Sequence, residues 1–192
     1  MADTYNIADY FPSPASGEIL NKAIYFETSG PLVEIWQFRN AMDTEGIAGT
    51  RIDNYTPAGS GWNHLDAWWI RETDNGLREF MDFFPSSGFL TYQDGKEINW
   101  GAPGIIDATL PNISSSATYA NGSLWGWFTV YLSEICATHE TPFGVFNDIL
   151  LVTWTQIVSG ASISGAYYMA KGRGPIEIHY QNSPPRYALD LW

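Results

Sequence analysis

The chain has 192 residues, of which 45% are apolar and only 16% charged, a balance that permits one substantial core and argues against disorder. Its formal net charge of −12 repels phosphate backbones and anionic headgroups, so nucleic acid and acidic membranes are poor partners. A lone Cys136 excludes an intrachain disulfide or an all-cysteine zinc site, and no apolar run reaches the ~20 residues of a membrane-spanning helix.

Aromatic residues make up 16% of the chain, with nine Trp, and bulky rings favour pleated, half-buried surfaces or flat ligand contacts. The N-terminus shows neither a basic start nor an apolar core, so no export signal is visible. Asp9-Tyr-Phe-Pro-Ser-Pro-Ala-Ser-Gly17 is broken by Pro and Gly and is expected to lie across an edge or end of a sheet. Ser16 to Leu20 is read as one helical turn. Asn21 to Glu27 and Leu32 to Arg39 read as strands around the Gly30-Pro31 turn. In the second, Leu32, Glu34, Trp36 and Phe38 share one face, and both faces are mixed in character.

Thr50 to Tyr55 is a further strand, followed by Trp62-Asn-His-Leu-Asp-Ala-Trp-Trp-Ile-Arg-Glu72. The Asp74-Asn-Gly76 turn links that run to Leu77–Phe84 as a hairpin. Gly88 to Tyr92 is a short strand, and Gln93-Asp-Gly-Lys96 a turn into Glu97–Trp100. The Pro, Gly and Ser content of residues 101–122 reads as loop, with at most one short edge strand. Leu124 to Leu132 is expected to pair with Ile135 to His139.

Phe146 to Val158 is the longest β-like run, and Tyr167 to Ala170 is expected to return antiparallel beside it. After Gly172-Arg-Gly-Pro175, a turn or bulge signal, Ile176, Ile178 and Tyr180 alternate with Glu177, His179 and Gln181. Tyr187 to Trp192 is the last strand. Many short strands with turn-punctuated spacing predict one mainly β domain over residues 1–192, a curved antiparallel sheet or partly open β-barrel with little helix.

Pro142, Gly144, Phe146 and Asp148 at the start of one strand, with Tyr167-Tyr-Met-Ala-Lys-Gly-Arg-Gly-Pro-Ile176 later, resemble a group of bacterial secreted proteins and lipoproteins. The early Asp9-Tyr-Phe-Pro12 is similar to the same group. The resemblance covers the last quarter and, more faintly, the first forty residues, and supplies no catalytic residues. It implies an antiparallel sheet placed outside the cytoplasm, in the periplasm, at the cell surface or secreted. The Gly172-Arg-Gly174 pair lacks a following helix and so has no phosphate cradle.

Chemistry concentrates around Trp62, His64, Asp66, Trp68 and Trp69. In an unbroken strand His64, Asp66 and Trp68 share one face, which would set an imidazole and a carboxylate beside an aromatic platform. The plainer alternative has His64 and Asp66 capping a turn and the tryptophans filling the core. His64, His139 and His179 fall in distant segments without metal-ligand spacing, and neither a metal nor a cofactor is expected. Three function classes remain. One is a non-catalytic domain binding a glycan or apolar small molecule through Trp62, Trp68, Trp69, Trp125 and Trp127. Another is a lyase or hydrolase using His64 with Asp66, and the third a homo-oligomer assembled through strand edges.

Overall fold

The computed structural model describes residues 4–26, 30–74, 76–85, 88–92, 98–101, 104–105, 114–119 and 121–192. Strands β1 (Thr4–Tyr5), β2 (Ile19–Phe26), β3 (Leu32–Met42), β4 (Ala48–Ala58) and β5 (Gly61–Thr73) are followed by β6 (Gly76–Phe84), β7 (Gly88–Tyr92), β8 (Ile98–Gly101), β9 (Gly104–Ile105) and β10 (Ser114–Tyr119). The last five are β11 (Leu124–Thr141), β12 (Gly144–Val158), β13 (Ala161–Ala170), β14 (Gly174–Tyr180) and β15 (Arg186–Asp190). Among the described residues the helical content is one short 3-10 turn at Ile7–Tyr10.

Twelve of these strands form a closed antiparallel barrel in the order β2-β3-β4-β5-β6-β7-β10-β11-β12-β13-β14-β15, with β15 pairing back onto β2. The expectation of a mainly β chain holds, and the sheet is closed where an open edge was also allowed. Closure has a direct consequence: each of the twelve barrel strands is hydrogen-bonded on both sides, while β8, paired with β6 alone, remains an edge among the described residues. β8 lies beside Leu77–Glu79 of β6, while β7 pairs with Met81–Phe84 of the same strand.

Alternation sorts the side chains into an inner and an outer set. Trp36, Phe38, Ile52, Ile70, Leu150, Val152, Met169 and Ile178 point inward and form one buried cluster with Ile7, Tyr10 and Phe11 of the N-terminal segment. That segment closes one end of the barrel. Asn6 caps the 3-10 turn through Ala8 N–H and donates to Glu72 at 2.7 Å, and Gly172 N–H donates to Asp9 carbonyl at 2.6 Å. It therefore ties the β5 end to the β13–β14 turn, and β1 pairs with β9 beside it. The Asp9–Gly17 stretch accordingly lies at an end of the sheet, as its composition suggests.

Several local expectations are corrected. Leu124–Leu132 and Ile135–His139 are one continuous strand, not a hairpin, because an extra residue at Ser133 lets β11 bend while staying paired with β12 throughout. Ser114–Tyr119, in the stretch read as loop with room for one short edge strand, is β10, and it is no edge, being paired on both sides by β7 and β11. Ser16 to Leu20 forms no helical turn, and β2 starts at Ile19. The Gln93–Lys96 turn, Asn75 and most of 101–113 lie outside the described residues. The Gly172–Pro175 turn is present, with the expected bulge at Ile176, and Gly172 and Gly174 hold φ of 71° and 79°.

Candidate functional site

The closed end and the inward side chains leave a cavity of about 240 Å³ inside the barrel. Trp36, Trp68, Trp100, Trp154, Tyr167 and Phe128 form its aromatic wall, and Asn54, Asp66, Glu79 and Asp82 add polar groups. The rings meet mostly edge to face: Trp36 and Trp68 at 5.3 Å and 89°, Trp36 and Tyr167 at 6.4 Å. Trp100 stacks on Tyr167 at 6.1 Å. Such contacts fix ring orientation beyond what burial alone would do.

Two of the carboxylates that reach the lumen are structurally satisfied. Glu34, nearly fully buried, accepts from Trp36 Nε1 at 2.8 Å and Asn54 Nδ2 at 3.0 Å, and is ion-paired with Arg186. Glu79 accepts from Tyr92 Oη at 2.7 Å and Trp100 Nε1 at 2.8 Å. Even so, burial holds the Glu79 carboxyl above its ordinary range, with those hydrogen bonds pulling the other way.

Asp66 and Asp82 are less well served. Burial, then the charges of Glu34 and Glu79, raise the Asp66 carboxyl to about 7, against a smaller downward pull from Asn54. Burial raises Asp82 well above its ordinary value, reinforced by the charges of Glu79 and Asp66. One oxygen of each, together with Asn54 Oδ1 and Trp154 Nε1, is buried with no hydrogen-bond partner. Native interiors leave few such atoms, and four of them gather around this one cavity.

Two bulges decide which acids face inward. Asn54 pairs with Asp66 but Tyr55 pairs with His64, so Leu65 is an extra residue in β5. This corrects the shared face expected for His64 and Asp66: the bulge shifts the alternation by one, leaving Asp66 and Trp68 inside and His64 outside. There His64 sits between Tyr55 and Phe83, ring centroids 5.0 and 5.8 Å away, with Nε2 2.9 Å from Asp53 Oδ1. The second bulge, at Phe80 in β6, keeps both Glu79 and Asp82 in the lumen although they are three positions apart.

The expected tryptophans disperse. Trp68 lines the cavity. Trp125 packs at the cavity rim against Phe84 and Phe128. Trp69 is buried on the outer face with Met81 and Phe80, under the guanidinium of Arg51 at 4.7 Å. Trp62 and Trp127 are 48% and 47% exposed and line no part of the cavity. Sequence reasoning missed Trp36, Trp100, Trp154, Tyr167, Glu79 and Asp82. The Glu34-Trp36-Phe38 face was the available signal, since a carboxylate on an aromatic face needs buried partners.

A separate cluster occupies the outer surface. Glu177 bridges two histidines, with Oε2 2.7 Å from His139 Nε2 and Oε1 2.5 Å from His179 Nε2, and His139 lies flat on Tyr168 at 4.1 Å. Both imidazoles direct the same nitrogen at the carboxylate, which suits a hydrogen-bonded clasp between β11 and β14. Among the described residues no group of three or more His, Cys, Asp or Glu side chains is arranged to hold a metal ion.

No family model matches the chain, and no curated protein matches it. Among solved structures it is similar to a Bacteroides fragilis NCTC 9343 protein described as having a YmcC-like fold, at 14% identity over 94% of this chain and 96% of that chain, with a TM-score of 0.45. A likeness this loose adds nothing to the reading of the site.

Proposed function

We propose that this protein is a binding domain whose barrel lumen receives one small ligand carrying a flat apolar body. The observation that carries the reading is the cavity itself: rings on its walls, unpaired polar atoms among them, and a segment sealing the opposite end. A water molecule occupies about 30 Å³ of liquid, so the space suits a molecule of about eight non-hydrogen atoms. That size favours a single ring over an extended glycan. Placement outside the cytoplasm belongs to the same proposal and rests on the residue resemblance at Pro142–Ile176; cell fractionation in the native host tests it.

Binding is tested by titrating the intact protein with small neutral aromatic probes while following tryptophan fluorescence. Capture should quench or shift emission, and Trp68→Ala or Trp154→Ala should weaken it at least about tenfold, as loss of a buried ring contact does. Unchanged affinity in both variants would place the binding elsewhere. Of the expected pair only Asp66 lines the lumen, since His64 faces outward, and a carboxyl raised to about 7 suits a general acid at neutral pH. Recovery of a bound compound chemically unchanged after prolonged incubation would count against catalysis.

A further inference from the structure

The unsatisfied groups of the lumen are nearly all of one kind. Asn54 Oδ1, Asp66 Oδ1 and Asp82 Oδ1 are acceptors, and the Asn54 side chain that carries the first is only 5% exposed. Their positions adjoin on one stretch of wall: Asn54 stands opposite Asp66 across β4–β5, and Asp82 stands opposite Trp68, the next inward residue after Asp66 on β5. The donors around them are already engaged. Trp36 Nε1, Asn54 Nδ2 and Arg186 all serve Glu34, while Tyr92 and Trp100 serve Glu79. Among the described residues, Trp154 Nε1 is a fully buried donor of the lining without a partner.

Asn54 Oδ1 is an acceptor without a donor, and the Asp66 and Asp82 carboxyls, which burial and mutual charge incline to keep their protons, become acceptors once a cation enters and favours their ionised form. A neutral alcohol supplies one N–H or O–H equivalent; a protonated primary amine supplies three, with a charge that suits the two carboxylates. The surrounding rings favour the same ligand, because the faces of Trp68 and Trp154 attract a cation when water is excluded. A hard metal ion is a poorer fit, as it demands six or more oxygen ligands and offers the aromatic wall nothing.

We propose that the lumen takes a small primary ammonium ligand, its –NH3+ group hydrogen-bonded to Asn54, Asp66 and Asp82 and its apolar body held among Trp68, Trp154 and Phe128. The proposal rests on the lumen being the binding site and adds the chemical class of what binds there. It also gives the acids a role. Asp66 and Asp82 act on each other and on Glu79 as like charges, and an ammonium between them converts that repulsion into attraction.

The experiment compares two probes matched in size and shape, benzylamine and benzyl alcohol, by calorimetry and tryptophan fluorescence on the intact protein at about pH 8, where the amine is still protonated. Benzylamine should bind at least about tenfold more tightly, the margin expected for charge-assisted hydrogen bonds. Asp66→Asn and Asp82→Asn should each reduce amine affinity by about tenfold and leave the alcohol unchanged. Equal or tighter binding of the alcohol to the unmodified protein overturns the ammonium assignment while leaving lumen binding intact, and this comparison needs no variant to fold. Amine binding that both folded variants retain in full overturns it too. If neither probe binds, the lumen reading falls and the ammonium assignment with it.

Discussion

Asp82 stands directly opposite Trp68 across the β5–β6 pair, so that a carboxylate and an indole face the same interior space. Neither Asp82 nor Asp66 has a cation to offset the cost of burial, and both therefore hold their protons more tightly in the folded chain than in the unfolded one.

The pH dependence of stability follows from that sign. The Asp66 contribution is fully present below its unfolded value of 3.8 and is lost as pH rises through about 7. Urea denaturation between about pH 5 and 8 should show Asp66→Asn losing less stability than the unmodified chain. At about pH 8 the variant should be more stable by about 2–4 kcal/mol, since one pKa unit is worth about 1.4 kcal/mol. Parallel pH profiles for the two proteins would show that Asp66 is not held in its protonated form.

Leu65 sets the phase of β5. Inserting one alanine between Asn54 and Tyr55 should give Leu65 a cross-strand partner, restore plain alternation, turn His64 towards the lumen and break its contacts with Phe83 and Asp53. The expected loss is about 2–3 kcal/mol in chemical denaturation, at the upper end of single-residue effects. An insertion that leaves stability and near-ultraviolet dichroism unchanged would mean that the bulge carries no such role.

Glu34 and Arg186 form a buried pair that should be worth more broken than absent. Glu34→Ala leaves the Arg186 guanidinium, set over the rings of Phe26 and Tyr180, without its carboxylate, and should cost about 3–5 kcal/mol. Combining it with Arg186→Met should recover much of that loss. Additive losses in the thermal unfolding of the double variant would disprove the coupling.

Gly165 makes room for a cavity ring. A Cβ there would lie 2.6 Å from Trp154 Cζ2 and 2.5 Å from the His179 carbonyl oxygen. Gly165→Ala should displace the indole, cost about 1–3 kcal/mol and weaken capture of any aromatic probe in the lumen. Unaltered fluorescence and probe affinity would place Trp154 elsewhere.

The strands were legible because their alternation and turn residues are local. Ile176, Ile178 and Tyr180 alternate as written, and the β5–β6 hairpin forms where Asp74 and Gly76 suggest it. The site was less legible because bulges at Leu65 and Phe80 shift the alternation, and nothing in the residues themselves marks the shift. Leu65 is an ordinary strand residue, yet it separates His64 from Asp66. Likewise, Trp36, Trp154 and Tyr167 come from strands far apart in sequence, and only closure of the barrel turns them towards a common space.

That closure joins a strand from the start of the chain to one near its end: Lys22 is ion-paired with Asp190, 168 positions away. A nascent chain still on the ribosome would therefore hold β2 and β14 with unmatched backbone until β15 emerges. Assembly of the wall becomes a late, post-translational event, slow for the size of the protein and dependent on protection from self-association during synthesis.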